Sequence, residues 1–245
     1  GKVLDLVPGH TDNVTSVAFS GDGGVLMSGA DGDKVHVASA GGGSASSGAP
    51  GLDRGASTTM SGHSGPVSVA AFSRDGKRLV SGSAADNDLK VWDVGSGKVL
   101  HTLPGLGEEV SSAALSGDGS TLAVVGAGNT VDVVDVKSGE VVQSLRGSSK
   151  PLSVATSADG THVVTGSADG DVDVWHVPSG GKVQTLRGHT DDVTAVGLSA
   201  DGSKVVSASE DKSVKVWDVA TGKATSTLPG HVEGVKSVCL SPGGS

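Results

Sequence analysis

Val193–Val219 reads VTAVGLSADGSKVVSASEDKSVKVWDV, and its pattern decides the fold. An apolar stretch runs into Asp201-Gly202, a Val/Ser stretch follows, an acidic turn comes next, and a third stretch ends at Trp217-Asp218. An Asp-Gly pair suits a reversal, because Gly tolerates positive φ and Asp bonds nearby backbone. The two-residue period of a strand sends Val214 and Val216 to one face, and Lys215 and Trp217 to the other. The Lys215 stem can then cover a neighbour while its amine stays in water. Val67–Val94, VSVAAFSRDGKRLVSGSAADNDLKVWDV, repeats the plan, as does Leu152–Val177, LSVATSADGTHVVTGSADGDVDVWHV.

A fourth strand follows each unit: GKVLHTL from Gly97, GEVVQSL from Gly139, GKVQTL from Gly181 and GKATSTL from Gly222, at separations of 42, 42 and 41 residues. Six loop positions, His10, His63, Leu106, Ser148, His189 and His231, are spaced by 53, 43, 42, 41 and 42. Four short strands repeating every ~40–45 residues are the signature of a propeller blade. One antiparallel meander cannot bury both faces, so neighbouring units must stack. The expected fold is therefore all-β: a β-propeller of four-stranded antiparallel blades, five of them recognisable, with an incomplete closing blade.

Gly188-His189 and Trp217-Asp218, with a second Trp-Asp at Trp92-Asp93, resemble the namesake ends of the WD-repeat β-propeller family. The resemblance covers the chain apart from about 15 residues after the first unit. It implies that Gly1–Leu6 is the outer strand of the closing blade and Val235–Ser241 its inner strand. The second and third strands of that blade are missing from the sequence. The expectation is one WD-repeat propeller domain over 1–245, a fragment of a longer propeller of six or seven blades. Residues 40–54, AGGGSASSGAPGLDR, form a flexible surface insertion, since Gly/Ser-rich loops of this kind add little closure entropy.

The resemblance also implies a buried hydrogen-bonded tetrad of His189, Ser209, Asp211 and Trp217, nearly repeated by His63, Ser83, Asp86 and Trp92. Ser, His and Asp suggest a hydrolase triad as well. A nucleophile has no need to be copied around a ring, whereas buried polar groups need partners, so the expectation is a structural set in a protein that is not an enzyme. The other units are degenerate. The fourth keeps Ser167, Asp169 and Trp175 but has Ser148 for the His. The third has Leu106 and Val134 at the His and Trp positions. The first keeps His10 but has Ala38 where Trp is expected.

Composition narrows the function. The 245 residues include 40 Gly, three Trp, two Phe and no Tyr, so an aromatic cage for a methylated lysine is disfavoured. No apolar run is long enough for a membrane helix, and GKVLDLV has no extended apolar region, so no signal peptide is expected in it. Net charge is −9, which disfavours nucleic acid and anionic membranes. The lone Cys239 excludes an intrachain disulfide and a Cys-based zinc site, and favours an intracellular, cytoplasmic compartment. Cys239 falls at the small-residue position of Ala18, Ala71, Ala114 and Gly197, which suggests a buried thiol. Asp31-Gly32-Asp33, Asp86-Asn87-Asp88 and Asp169-Gly170-Asp171 resemble the beginnings of calcium loops, but lack the further oxygen ligands and closing Glu. They read as hairpin turns. No cofactor or metal is expected.

Acidic residues gather in the loops before the inner strands, among them Asp12, Glu108, Glu109, Asp191, Asp192 and Glu233. The Asp-Gly and Gly-Lys turns carry Lys77, Arg78, Lys98, Lys137, Lys182, Lys204 and Lys223, which balance Asp22, Asp118 and Asp159. The expectation is a protein-interaction scaffold working in a larger assembly. Its acidic end would dock other proteins through basic segments, with no nucleic acid and no membrane insertion. The alternative is a regulatory propeller attached to a catalytic domain outside this chain.

Overall fold

The computed structural model describes residues 10, 12–20, 24–30, 34–39, 57–83, 85–104, 110–126 and 128–240. The expected outer strand Gly1–Leu6, the insertion 40–54, the turn Asp31–Asp33 and Leu106 lie outside the described residues, as do Asp22, Glu108 and Glu109. The chain divides into two compact units, Gly1–Val110 and Ser111–Ser245.

The first unit holds two four-stranded antiparallel sheets. One comprises β1 (Val14–Phe19), β2 (Val25–Ala30), β3 (Lys34–Ser39) and β4 (Ser57–Ser61). The other comprises β5 (Val67–Phe72), β6 (Arg78–Ser83), β7 (Asp88–Asp93) and β8 (Lys98–Pro104). The second unit holds three. Its first sheet is β9 (Ser112–Leu115), β10 (Thr121–Val125), β11 (Thr130–Asp135) and β12 (Glu140–Arg146). Next come β13 (Pro151–Thr156), β14 (His162–Ser167), β15 (Val172–His176) and β16 (Gly181–Leu186). The last is β17 (Val193–Leu198), β18 (Lys204–Ser209), β19 (Val214–Asp218) and β20 (Lys223–Leu228). In every sheet the strands lie in chain order, the meander of a propeller blade. Among the described residues the only helix is the single 3-10 turn Val177–Ser179.

Four described Asp-Gly reversals between first and second strands are built around a serine two residues before the Asp. Ser73, Ser116, Ser157 and Ser199 donate to the carboxylates of Asp75, Asp118, Asp159 and Asp201 at 2.7, 2.6, 2.6 and 2.6 Å. The same hydroxyls accept the first N–H of the following strand, from Arg78, Thr121, His162 and Lys204. The Ser157 hydroxyl and the Thr161 N–H hold the Asp159 carboxyl down at about 2, and the Ser199 hydroxyl and the Ser203 N–H do the same for Asp201. Both turns are fixed by ionised side chains.

Blades stack through their tryptophans. Trp92 joins a core with Val25, Met27, Val35, Val37 and Met60 of the preceding blade. Trp175 does so with Ala123, Val125, Val131 and Val133, and Trp217 with Val164, Val172 and Val174. A register shift falls at each of these Trp positions, between Val91 and Trp92, Val174 and Trp175, and Val216 and Trp217. Such a bulge re-aims a side chain. The opposite face of the last blade, with Val214 and Val216, packs on Val235, Val238 and Leu240.

The segment Val235–Leu240 carries no strand ladder. It joins the last blade through the Val235 N–H, which donates to the Ser209 carbonyl at 3.0 Å, and through a bond from the Thr194 hydroxyl to the Val235 carbonyl. Cys239, expected to be buried there, is exposed. The small side chains at its level in the other blades are covered by a second strand of their own sheet, and no such strand lies beside Cys239 among the described residues.

Candidate functional site

In the last blade, burial and hydrogen-bond donors fix a proton order. Trp217 is 1% exposed and its indole Nε1–H donates to Ser207 Oγ at 2.8 Å. Ser207 Oγ lies 2.7 Å from His189 Nε2, and His189 Nδ1 lies 2.7 Å from the Asp211 carboxylate. Burial works to raise the Asp211 carboxyl, but hydrogen bonds from Ser213 and His189 outweigh it and bring the value down to about 2. An ionised carboxylate only accepts, so His189 carries its proton on Nδ1. Nε2 is then an acceptor, and Ser207 donates to it while accepting from Trp217. Burial pushes the His189 ring below its ordinary 6.5, against the opposing pull of Asp211, so the ring is neutral at pH 7.

The second blade repeats the chain. Trp92 Nε1–H donates to Ser81 Oγ at 2.7 Å, which sits 2.8 Å from His63 Nε2, and His63 Nδ1 is 2.9 Å from Asp86. The serines named from the sequence, Ser209 and Ser83, are not the bridging ones. Trp217 pairs with Val205 and Trp92 with Leu79, so Ser207 and Ser81 stand two residues along the strand, about 7 Å away. Ser209 and Ser83 stand four residues along, roughly 13 Å, beyond reach of the indole. They serve the turns instead. Ser209 donates to the Asp191 carbonyl and accepts the Asp211 N–H, both at 3.0 Å, and Ser83 accepts the Ala85 N–H at 3.3 Å. Ser207 and Ser209 are both fully buried. A hydrolase nucleophile has to meet substrate, and these hydroxyls are committed to the fold.

The degenerate blades solve the same problem differently. In the fourth, Trp175 donates to Thr165 Oγ1 at 3.2 Å, while Ser148 makes a long 3.4 Å contact with Asp169. Buried Asp173 accepts from Thr185 at 2.6 Å and from Lys182 Nζ at 2.8 Å, and that ammonium lies 5.0 Å from the Trp175 ring centre. Lys182 thus turns onto its own blade rather than serving with the cations of the Gly-Lys turns. Its motif was visible, but the buried carboxylate facing it was not, since Asp173 reads as an ordinary alternating polar residue. In the first blade His10 Nε2 meets Ser28 Oγ at 2.8 Å, and the His36 ring stands edge-on to His10 with centres 4.4 Å apart. His36 supplies the ring contact that Ala38 cannot.

Among the docking candidates, Asp191 is exposed and its carboxylate accepts the Asp192 N–H at 2.9 Å. Asp192 is half-buried and Glu233 is exposed. The Glu210 N–H donates to the Asp192 carbonyl at 3.0 Å, and the Glu210 carboxylate is paired with Lys236. A Cβ on Gly170 would lie 2.7 Å from the His189 carbonyl and 3.4 Å from the Asp191 carbonyl. The acidic turn Asp169–Asp171 therefore abuts the loop that carries Asp191 and Asp192. Asp12, also exposed, belongs to the other compact unit.

The acidic turns spend their carboxylates on their own backbone. Asp86 accepts the Asp88 N–H, Asp169 the Asp171 N–H and Asp211 the Ser213 N–H. Among the described residues no group of three or more His, Cys, Asp or Glu is placed to hold a metal ion. No helix among them is long and apolar enough to cross a membrane.

Five meander blades and a buried Trp–Ser–His–Asp relay define a WD-repeat protein. The WD40 family model (WD domain, G-beta repeat) matches residues 1–37, 56–93, 139–176 and 180–218, and the chain belongs to that family. It is 33% identical over 82 residues, 34% of this chain, to Autophagy-related protein 16 of Arabidopsis thaliana. It is 50% identical over 44 residues, 18% of this chain, to WD repeat, SAM and U-box domain-containing protein 1 of Gallus gallus. It is 37% identical over 62 residues, 25% of this chain, to a WD repeat-containing protein of Synechocystis. The matches span 16%, 9% and 18% of the length of those relatives. WD40 repeats imply a protein-interaction scaffold, and repeat proteins of this family are generally non-catalytic.

Proposed function

We propose that this chain is a non-enzymatic scaffold in a larger assembly, and that its acidic loop end docks a basic segment of a partner protein. The observation that carries the reading is the meeting of Asp169–Asp171 with the Asp191–Asp192 loop of the next blade, which merges carboxylates remote in sequence into one field. Arg187 bonds Asp171 at 3.2 Å and Lys236 is paired with Glu210, whereas among the described residues the exposed Asp191 carboxylate accepts just the Asp192 N–H. Glu233 extends the same charge, and Asp12, Glu108 and Glu109 take the corresponding loop positions in other repeats. A basic segment would gain faster encounter and orientation there, and salt would weaken both over a screening length of about 8–10 Å.

The test is binding of a Lys/Arg-rich peptide and of partners recovered by crosslinking, measured across salt concentrations. Reversing Asp191 and Asp192 to Lys should weaken binding by roughly tenfold, the sum of two exposed charge contacts. Reversing Glu108 and Glu109 should do the same, with the fold intact. Unchanged affinity in both reversals rejects this end as the docking face. A second reading, a regulatory propeller serving a catalytic domain elsewhere in a longer chain, is favoured by the relative whose name joins WD repeats to a SAM domain and a U-box. The full-length sequence separates the two.

A further inference from the structure

The fourth blade carries a cross-strand pair that no other described blade has, the first blade having Val25 opposite Ser39 at that level. At the level where the second strand begins and the third ends, Arg78 faces Asp93, Thr121 faces Asp135 and Lys204 faces Asp218. In the fourth blade this pair is His162 and His176. Both members differ from the charge pairs of the second and fifth blades, and the result is two imidazoles with ring centres 5.4 Å apart and planes tilted by 57°.

The neighbours of His162 fix which nitrogen of its neutral ring carries the proton. Thr161 Oγ1 donates to the Asp159 carboxylate at 2.8 Å, so toward His162 Nδ1, 2.9 Å away, it can only accept. Ser179 Oγ lies 2.9 Å from His176 Nδ1 and 3.3 Å from the His176 carbonyl, and its one proton can serve either. Ser179 is the third residue after His176, as Ser96, Ser138 and Thr221 are after Asp93, Asp135 and Asp218, whose carboxylates hold the same turn. His176 thus keeps the turn contact through Nδ1. The neutral His162 ring is left with a lone pair on Nε2, and among the described residues no hydrogen bond reaches Nε2 of either ring. Both residues are half-buried, and a Cβ on Gly202 of the next blade would lie 3.7 Å from His162 Nδ1.

We propose that His162 and His176 form a two-histidine site for a zinc-class divalent cation, bound through the two Nε2 atoms with the remaining positions open to water or to a ligand from a partner. Zinc accepts imidazole nitrogen at about 2.0–2.1 Å in near-tetrahedral geometry, which puts two ligating ring centres about 5 Å apart. The observed separation matches that spacing. A hydrogen bond on the other ring nitrogen is the arrangement that fixes tautomer and orientation in histidine ligands. Nickel and copper should bind the same pair, since imidazole suits all three.

The test is calorimetric titration of the whole chain with Zn2+ alone, run beside His162→Gln, His176→Gln and the double variant His162→Arg/His176→Asp, which restores the charge pair of the second blade. The wild-type chain should show one saturable site whose affinity falls roughly tenfold or more in each single variant, because each removes one of two ligands. The double variant should lose the site yet unfold at a similar temperature without metal, and zinc should raise the melting temperature of wild type alone. Histidine NMR should show Nε2 of both rings perturbed on titration. Equal affinity in wild type and both single variants would overturn the proposal, as would the absence of saturable binding up to about 1 mM Zn2+. The readouts are independent of the acidic docking end, so the two readings can fail separately.

Discussion

Replacing Ser207 by Ala should destabilise the last blade more than replacing Ser209, although both hydroxyls are fully buried. Ser207 stands between two buried groups. Its loss leaves the Trp217 Nε1–H, now bonded at 2.8 Å, and His189 Nε2, at 2.7 Å, without a partner. An unpaired buried polar group costs about 1–3 kcal/mol, and Trp217 sits too deep for water to take the place of the hydroxyl, so the change should cost about 2–4 kcal/mol. Ser209 serves the Asp191 carbonyl and the Asp211 N–H, which lie in loop residues that water can reach, and its loss should cost about 1 kcal/mol. Urea unfolding followed by tryptophan fluorescence measures both. A cycle with Trp217→Phe isolates the indole share, because Ser207→Ala should cost less once no indole N–H remains to be orphaned. Equal losses for the two serines, or a larger loss at Ser209, would refute the proton order derived for the relay.

Stability should fall as pH falls in two windows. The His189 ring is depressed below 6.5 in the folded chain, so the unfolded state takes up that proton first and stability drops as pH goes below about 6.5. Asp211, at about 2 when folded against 3.8 when not, contributes on the order of 1–2 kcal/mol above pH 3.8 that is lost as pH falls toward 2. Urea midpoints at about pH 7.5, 5.5 and 3 check both, and a midpoint rising on acidification would contradict the signs. Gly160→Ala should cost at least about 1–2 kcal/mol, because Gly160 has φ +68° and an added Cβ would lie 2.5 Å from Thr121 Oγ1. A melting temperature equal to that of wild type would argue against the close packing of that turn on the preceding blade.

Much of the architecture is local information, which is why it could be read directly. Strand alternation, the Asp-Gly reversals and the ~41–43-residue rhythm depend on a residue and its near neighbours, so they announce the meander before any packing is known. The serine two residues before the Asp of these four Asp-Gly reversals was equally local. It stands in the printed repeats as Ser73, Ser116, Ser157 and Ser199, and the pattern of the turn contains it.

The choice between Ser207 and Ser209 was not local. Both lie on the same face of β18, and only the register of β18 against β19 brings Ser207 under the indole. Burial of Asp173 beneath Lys182 and the His10–His36 contact needed the third dimension for the same reason. The exposure of Cys239 depends on whether a strand of its own sheet lies beside it. The pairing of His162 with His176 joins residues 14 positions apart across a hairpin, and the alternation of each strand taken singly gives no sign of it. Sequence determined the repeating strand unit, because hydrophobic period and turn chemistry act within a few residues. Tertiary structure decided which polar side chains meet, because that depends on register, bulges and the neighbouring blade.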